Sequence, residues 1–305
     1  MELDALRFIR DALPAGRTLY YDFPDRYAVL LLQLYLGTGK RPISDIKASP
    51  LAPLLNKPCI AQLTAGLGKN WLCAEDLLAA WPSDPTPFKL SLGVWPDEHE
   101  NPRPAWAQVT RRGWNLVLQL NVISGHKAAL NEDIPEWEDY QPAWHPVAGR
   151  GELTLAWARL DVDLESGEAL VEEIQSDWVR DVDYYARAHR PGSRAWRSYR
   201  DATLKPYVKK WPETMLTAAL WFLFDELGMQ RVFYHTHHSG SELKQIRYRK
   251  PPQSLYRELP RRLCFRQTHN GPAFIAASRD RHIKALFTDP ETRWFVLDFG
   301  TSPSD

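Results

Sequence analysis

Apolar residues fall at helical spacing over Met1–Leu13 and again over Asp25–Leu36, where DRYAVLLLQLYL is apolar on nearly every side and ends at Gly37-Thr38-Gly39. Ala74–Trp81 is a third short helical pattern, stopped at Pro82. Prolines then punctuate the chain at 82, 85, 87, 96, 102 and 104, and the period changes from helical to alternating. Phe88–Trp95, Trp106–Thr110, Trp114–Val122, Leu153–Asp163 and Leu170–Trp178 read as strands of an antiparallel meander, with Glu132–Gly149 as an acidic, aromatic loop. The last third alternates. It predicts a helix over Pro212–Leu227 with Gly228 after its end and a strand over Arg231–His237. A helical stretch follows over Gln253–Leu263, broken at Pro260. A hairpin of Cys264–Thr268 with Ala273–Ser278 is expected around Asn270-Gly271, then a closing strand over Trp294–Phe299. The expected fold is α+β: a helical region over 1–85, followed over 86–305 by a mainly antiparallel mixed sheet with flanking helices.

The run LVEEIQSDW, Leu170–Trp178, departs from the alternation of an ordinary core strand. Side chains alternate faces along a strand, so Glu173, Gln175 and Asp177 would share one face, with Ile174, Ser176 and Trp178 on the other. Three polar groups on one face of a strand inside a sheet need partners, because an unpaired buried polar group costs about 1–3 kcal/mol. A wet cleft beside the strand would satisfy that need. Glu173 or Asp177 is therefore a candidate general base or orienting carboxylate, with Gln175 and Ser176 contacting substrate. Glu173→Gln is expected to spare the fold and abolish activity.

Charge sharpens the picture. The 305 residues carry no net charge, yet Asp97–Asp177 holds 16 acids against 6 Lys/Arg and Trp178–Arg266 holds 8 acids against 18. The basic segment interleaves Arg187, Arg190 and Arg194 with Tyr184, Tyr185 and Trp196, a composition suited to an anionic small molecule or cofactor, and also to nucleic acid. His235 and His237 would share a face of one strand; they read as substrate-contacting groups ahead of metal ligands, since no third histidine follows at ligand spacing. Tyr256 lies on a helix leading into a strand, as either a core tyrosine or a general acid. GTGK and GLGK lack the Ser or Thr that a phosphate loop places after its lysine; Arg41 and Asn70 stand there. Three cysteines, Cys59, Cys73 and Cys264, fit free thiols of a reducing cytoplasm. No apolar run reaches the roughly 18 residues of a membrane span, so no membrane partner is expected.

LTLAWARLDVDLESGEALVEEIQSDW resembles a segment of the uncharacterised modules found in large polyvalent proteins of phages and mobile elements. The likeness continues loosely through Pro206-Tyr207-Val208, Trp211, Gly228, Leu255-Tyr256 and Pro260. It implies a shared polar site at Glu173, Gln175 and Asp177 and a bacterial or phage setting. The order of meander, strand, helix, strand and tyrosine helix is also similar to GNAT-type acyltransferases. That resemblance implies a GNAT-like sheet, acyl-CoA as cofactor and Tyr256 as the acid that protonates a leaving thiolate, although the glycine-rich pyrophosphate loop of that family has no counterpart in SDWVRDVDYYARAHRPGSRAW. The leading expectation is an acyltransferase-like group-transfer enzyme. The alternatives are a non-catalytic nucleic-acid- or protein-binding module and a metal-dependent enzyme built on the His-x-His pair.

Overall fold

The computed structural model describes residues 1–12, 17–98, 107–123, 145–149, 152–188, 192–246 and 252–300. The chain is α+β, with a large, mostly antiparallel mixed sheet and flanking helices. Among the described residues the strands are β1 Arg17–Asp22, β2 Lys40–Pro42, β3 Trp71–Cys73, β4 Thr86–Trp95, β5 Asn115–Val122, β6 Thr154–Asp163, β7 Glu168–Gln175, β8 Arg231–His235, β9 Arg266–Thr268 and β10 Trp294–Asp298. They belong to two compact units, neither continuous in sequence. The first gathers Met1–Tyr20, Pro87–Val162 and Val171–Ala219; the second gathers Tyr21–Thr86, Asp163–Leu170 and Leu220–Asp305.

In the first unit the strand order is β1-β4-β5-β6-β7. Every residue of β5 is buried, although the polar Asn115, Gln119 and Asn121 alternate along it with Leu116, Leu118, Leu120 and Val122. The β5–β6 ladder pairs Gln119 with Trp157 and Leu120 with Ala156, but then Asn121 with Thr154. Leu155 is thus an extra residue on β6, a bulge that re-aims Thr154. The expected strand at Trp106–Thr110 does not form over its described part, Ala107–Thr110. Side chains take the hydrogen bonds a ladder would have used. The Ala107 carbonyl accepts from Arg159, and the Thr110 N–H (3.0 Å) and hydroxyl (2.7 Å) both donate to the buried Glu172 carboxylate.

The second unit contains the strands β8-β10-β9 and the β2-β3 ribbon. Its core packs Leu170, Phe233, Leu243, Ile275, Ile283, Trp294 and Val296. The helix predicted over Asp25–Leu36 is present as Arg26–Leu36, closed by Gly37 at φ 56°. The hairpin expected around Asn270-Gly271 is not. β9 pairs instead with β10, and Ala273–Ala276 is a helical turn whose first N–H donates to the buried carboxylate of Glu168 at 2.7 Å. A tight Asn-Gly hairpin turn needs positive φ at both residues, and neither has it. Gly271 answers a different demand: a Cβ there would stand 2.6 Å from the buried Trp294 ring. Gly271→Ala should therefore cost about 1–3 kcal/mol by overpacking a rigid indole. A urea midpoint equal to that of the parent chain would contradict this.

Candidate active site

The run Leu170–Trp178 is not one strand. β7 stops at Gln175, and Ser176 becomes the N-cap of a helix over Asp177–Arg187, its hydroxyl accepting from Val179 N–H. The same hydroxyl donates to the carbonyl of Leu155, the extra residue of the β6 bulge. Ser176 is thereby a structural joint rather than a substrate contact. Glu173 and Gln175 remain in β7 and are partly exposed, whereas Asp177 moves into the first helical turn. Serine before an acid at a strand end is a helix-start signal, and here it overrides the apparent alternation.

That move carries Asp177 to a partner the sequence reading passed over. Its Oδ1 lies 2.6 Å from His145 Nδ1; the carboxylate is 1% exposed and the imidazole 24%. Oδ1 also accepts from Gln175 Nε2 and meets Arg180 at 2.8 Å, and Oδ2 accepts from Trp157 Nε1 at 2.9 Å. Burial alone would raise the Asp177 pKa. The hydrogen bond and charge of His145, the Trp157 N–H and the Arg180 charge outweigh it and hold the carboxyl below its ordinary value. The first turn of a helix also favours an anion. Asp177 is therefore a poor proton acceptor and a good fixed charge. An ionised carboxylate only accepts, so Nδ1 of His145 carries a proton and donates it to Oδ1. The His145 ring meets Trp157 edge to face, with centroids 6.0 Å apart.

Glu173 serves a second arrangement. Its carboxylate pairs with Arg159, a guanidinium 2% exposed. Arg159 also donates to the carbonyls of Ala107 (2.6 Å) and Gln108 (3.1 Å) and lies 5.8 Å from the Trp95 ring. The Glu173 carboxylate is thus committed to a buried cation.

Tyr256, His235 and His237 lie in the second unit. Tyr256 is buried on the turn Ser254–Glu258, its ring 5.5 Å from Tyr234. His235 ends β8 with Nδ1 3.1 Å from Ser239 Oγ and its ring against Trp294, while His237 opens the helix His237–Leu243 after the Thr236 cap. The pair thus does not share a strand face, because Thr236 with Ser239 forms a capping box that ends the strand. Among the described residues no three His, Cys, Asp or Glu side chains gather to hold a metal. Arg187 is exposed and paired with Asp183 at 2.8 Å, Arg194 is exposed, and Arg190 lies outside the described residues. Tyr185 stacks on Trp196 at 5.0 Å, and Tyr184 is exposed. No described helix is long and apolar enough to cross a membrane.

His145 sits in AWHPV with no periodicity around it, and 32 positions separate it from Asp177. Only the pairing of an acid at a helix start with a histidine elsewhere in the chain would have suggested it. No protein-family model, curated protein or solved structure matches this chain.

Proposed function

We propose that the chain is a group-transfer enzyme that uses His145 as its general base, oriented by Asp177. The observation that carries this reading is the 2.6 Å contact between a buried, ionised carboxylate and a partly exposed imidazole. In such a dyad the carboxylate holds the ring in one tautomer and stabilises the imidazolium formed during turnover. Nε2 removes a proton from a substrate hydroxyl or amine, or from water, as that atom attacks an acyl carbon. The bond to the leaving group breaks, and the same proton passes to the leaving group, restoring neutral His145. Gln175 steadies the carboxylate.

Acyl transfer in a GNAT-like sheet remains the preferred chemical class, with an anionic donor such as an acyl-CoA met by Arg187, Arg194 and Arg190. Kinship with the EIQSDW-containing modules of phage polyvalent proteins is part of the same proposal.

The test is turnover of a panel of acyl-CoA thioesters and activated esters by the full chain and by Asp177→Asn. The amide removes the fixed charge and the tautomer lock, so the rate should fall by about 10²–10⁴-fold. Stability supplies an independent reading. A carboxyl with a lowered folded pKa stabilises the fold above its unfolded pKa and loses that contribution as pH falls through the folded value. The parent chain should lose stability across the acidic carboxylate range, and Asp177→Asn should lose less there. Equal rates for parent and variant would sink the proposal. The stacked Tyr185–Trp196 pair with exposed Tyr184 favours a second reading, a single-stranded nucleic-acid platform. That reading gains if no substrate turns over and oligonucleotide binding falls steeply with salt.

A further inference from the structure

Beneath the residues that follow His145 lies a buried polar chain that the dyad itself does not use. Ala148 N–H donates to Thr154 Oγ1 at 2.9 Å, and Thr154 Oγ1 donates to Asn121 Oδ1 at 2.7 Å. Asn121 Nδ2 donates to Ser91 Oγ at 2.8 Å, and Ser91 Oγ donates to Gln119 Oε1 at 2.6 Å. Gln119 Nε2 closes the run on the carbonyl of Pro146 at 3.0 Å. Ser91, Gln119, Asn121 and Thr154 are all buried. Each hydroxyl in the run gives one hydrogen bond and takes one, so both amide orientations are determined. Turning Gln119 over would leave the Ser91 hydroxyl proton without its acceptor and set the amide oxygen against the Pro146 carbonyl.

Two features of the backbone exist to make this run possible. The β6 bulge at Leu155 brings Thr154 opposite Asn121, and the Leu155 carbonyl is met by Ser176, the residue immediately before Asp177. Gly93 lies beside the Gln119 amide, where a Cβ would stand 2.9 Å from Nε2. A side chain at 93 would push that amide tip away from Pro146.

We infer that Gln119, Ser91, Asn121 and Thr154, cleared by Gly93, form a clamp that holds the backbone of residues 146–148 and thereby positions the His145 ring on Asp177. These are positioning residues; none touches the Nε2 lone pair. The four strand side chains come from β4, β5 and β6, so a rigid sheet rather than the local loop sets where the imidazole stands. The clamp gives its functional meaning only if His145 is the base, and it therefore rests on the reading above.

The test separates the two. In the uniformly ¹⁵N-labelled full chain, NMR follows solvent exchange of the His145 Nδ1 proton, with β5 backbone amides as the internal reference. Thr154→Val keeps shape but removes the hydroxyl, Gly93→Ala displaces the Gln119 amide, and Thr154→Ser keeps the hydroxyl. The Nδ1 proton should exchange about tenfold faster in Thr154→Val and Gly93→Ala, and within about twofold of the parent in Thr154→Ser, the scale expected for losing or keeping a buried hydrogen bond. Unchanged ring-proton exchange in Thr154→Val and Gly93→Ala overturns the clamp. So does acceleration shared in equal proportion by the β5 amides, which would mean loss of general stability. If His145→Gln keeps turnover while Thr154→Val still frees the ring proton, the base assignment fails and the clamp stands.

Discussion

His145→Gln should lower kcat/KM by about 10²–10⁴-fold while leaving the unfolding free energy from urea titration within about 0.5 kcal/mol of the parent. The imidazole is partly exposed, so its loss removes little packing. Its partner is the asymmetric element. Asp177 keeps the Trp157 N–H, the Gln175 amide and Arg180 when the ring is gone, and so remains a satisfied anion. Gln at 145 can still place a donor near Oδ1 but has no lone pair of comparable basicity to receive a proton. The predicted split, a large kinetic loss with a small stability change, is what a structural ion pair would not produce. Were His145 merely a surface partner of Asp177, stability and turnover would both stay near the parent values. If it were a structural pin, stability would fall with turnover.

The reverse split is expected at Arg159. Arg159→Ala should destabilise the fold by about 3–5 kcal/mol, the range for breaking a buried pair by removing one partner. Three acceptors converge on this guanidinium: the carbonyls of Ala107 and Gln108 and the carboxylate of Glu173. The side chain is also among the largest fully buried groups of the chain, so its removal leaves a cavity beside Trp95. Arg159→Lys should recover only part of the loss, because an ammonium cannot span the three acceptors that a planar guanidinium reaches. The same geometry revises the expectation for Glu173→Gln. The sequence alone predicts an intact fold, but the change strips a buried cation of its counter-charge, and the urea midpoint should fall. A loss of unfolding free energy below about 1 kcal/mol for Arg159→Ala would place this pair with ordinary surface ion pairs.

Local signals were reliable wherever one segment carried its own explanation. The helix of Arg26–Leu36, its Gly37 terminus, the β6–β7 hairpin and strand β10 all appear where periodicity and turn residues placed them. The readings that failed share a cause. At Ala107–Thr110 and at Asn270-Gly271 a distant group claimed the backbone: Arg159 and Glu172 at the first, Glu168 and β10 at the second. None of these partners is within reach of a local pattern. Likewise the polar character of Glu173, Gln175 and Asp177 was legible, but their division into an Arg159 pair and a His145 dyad was not.

The order of residues, by itself, determined that this chain is α+β with a polar stretch set unusually at the end of an interior strand, because periodicity and turn chemistry act over a few residues. Tertiary structure alone decided which of those polar groups meets His145 and which meets Arg159. That choice depends on burial and on partners drawn from strands and loops far apart along the chain, and hydrogen bonds between them exist only once the sheet has brought them to within 3 Å.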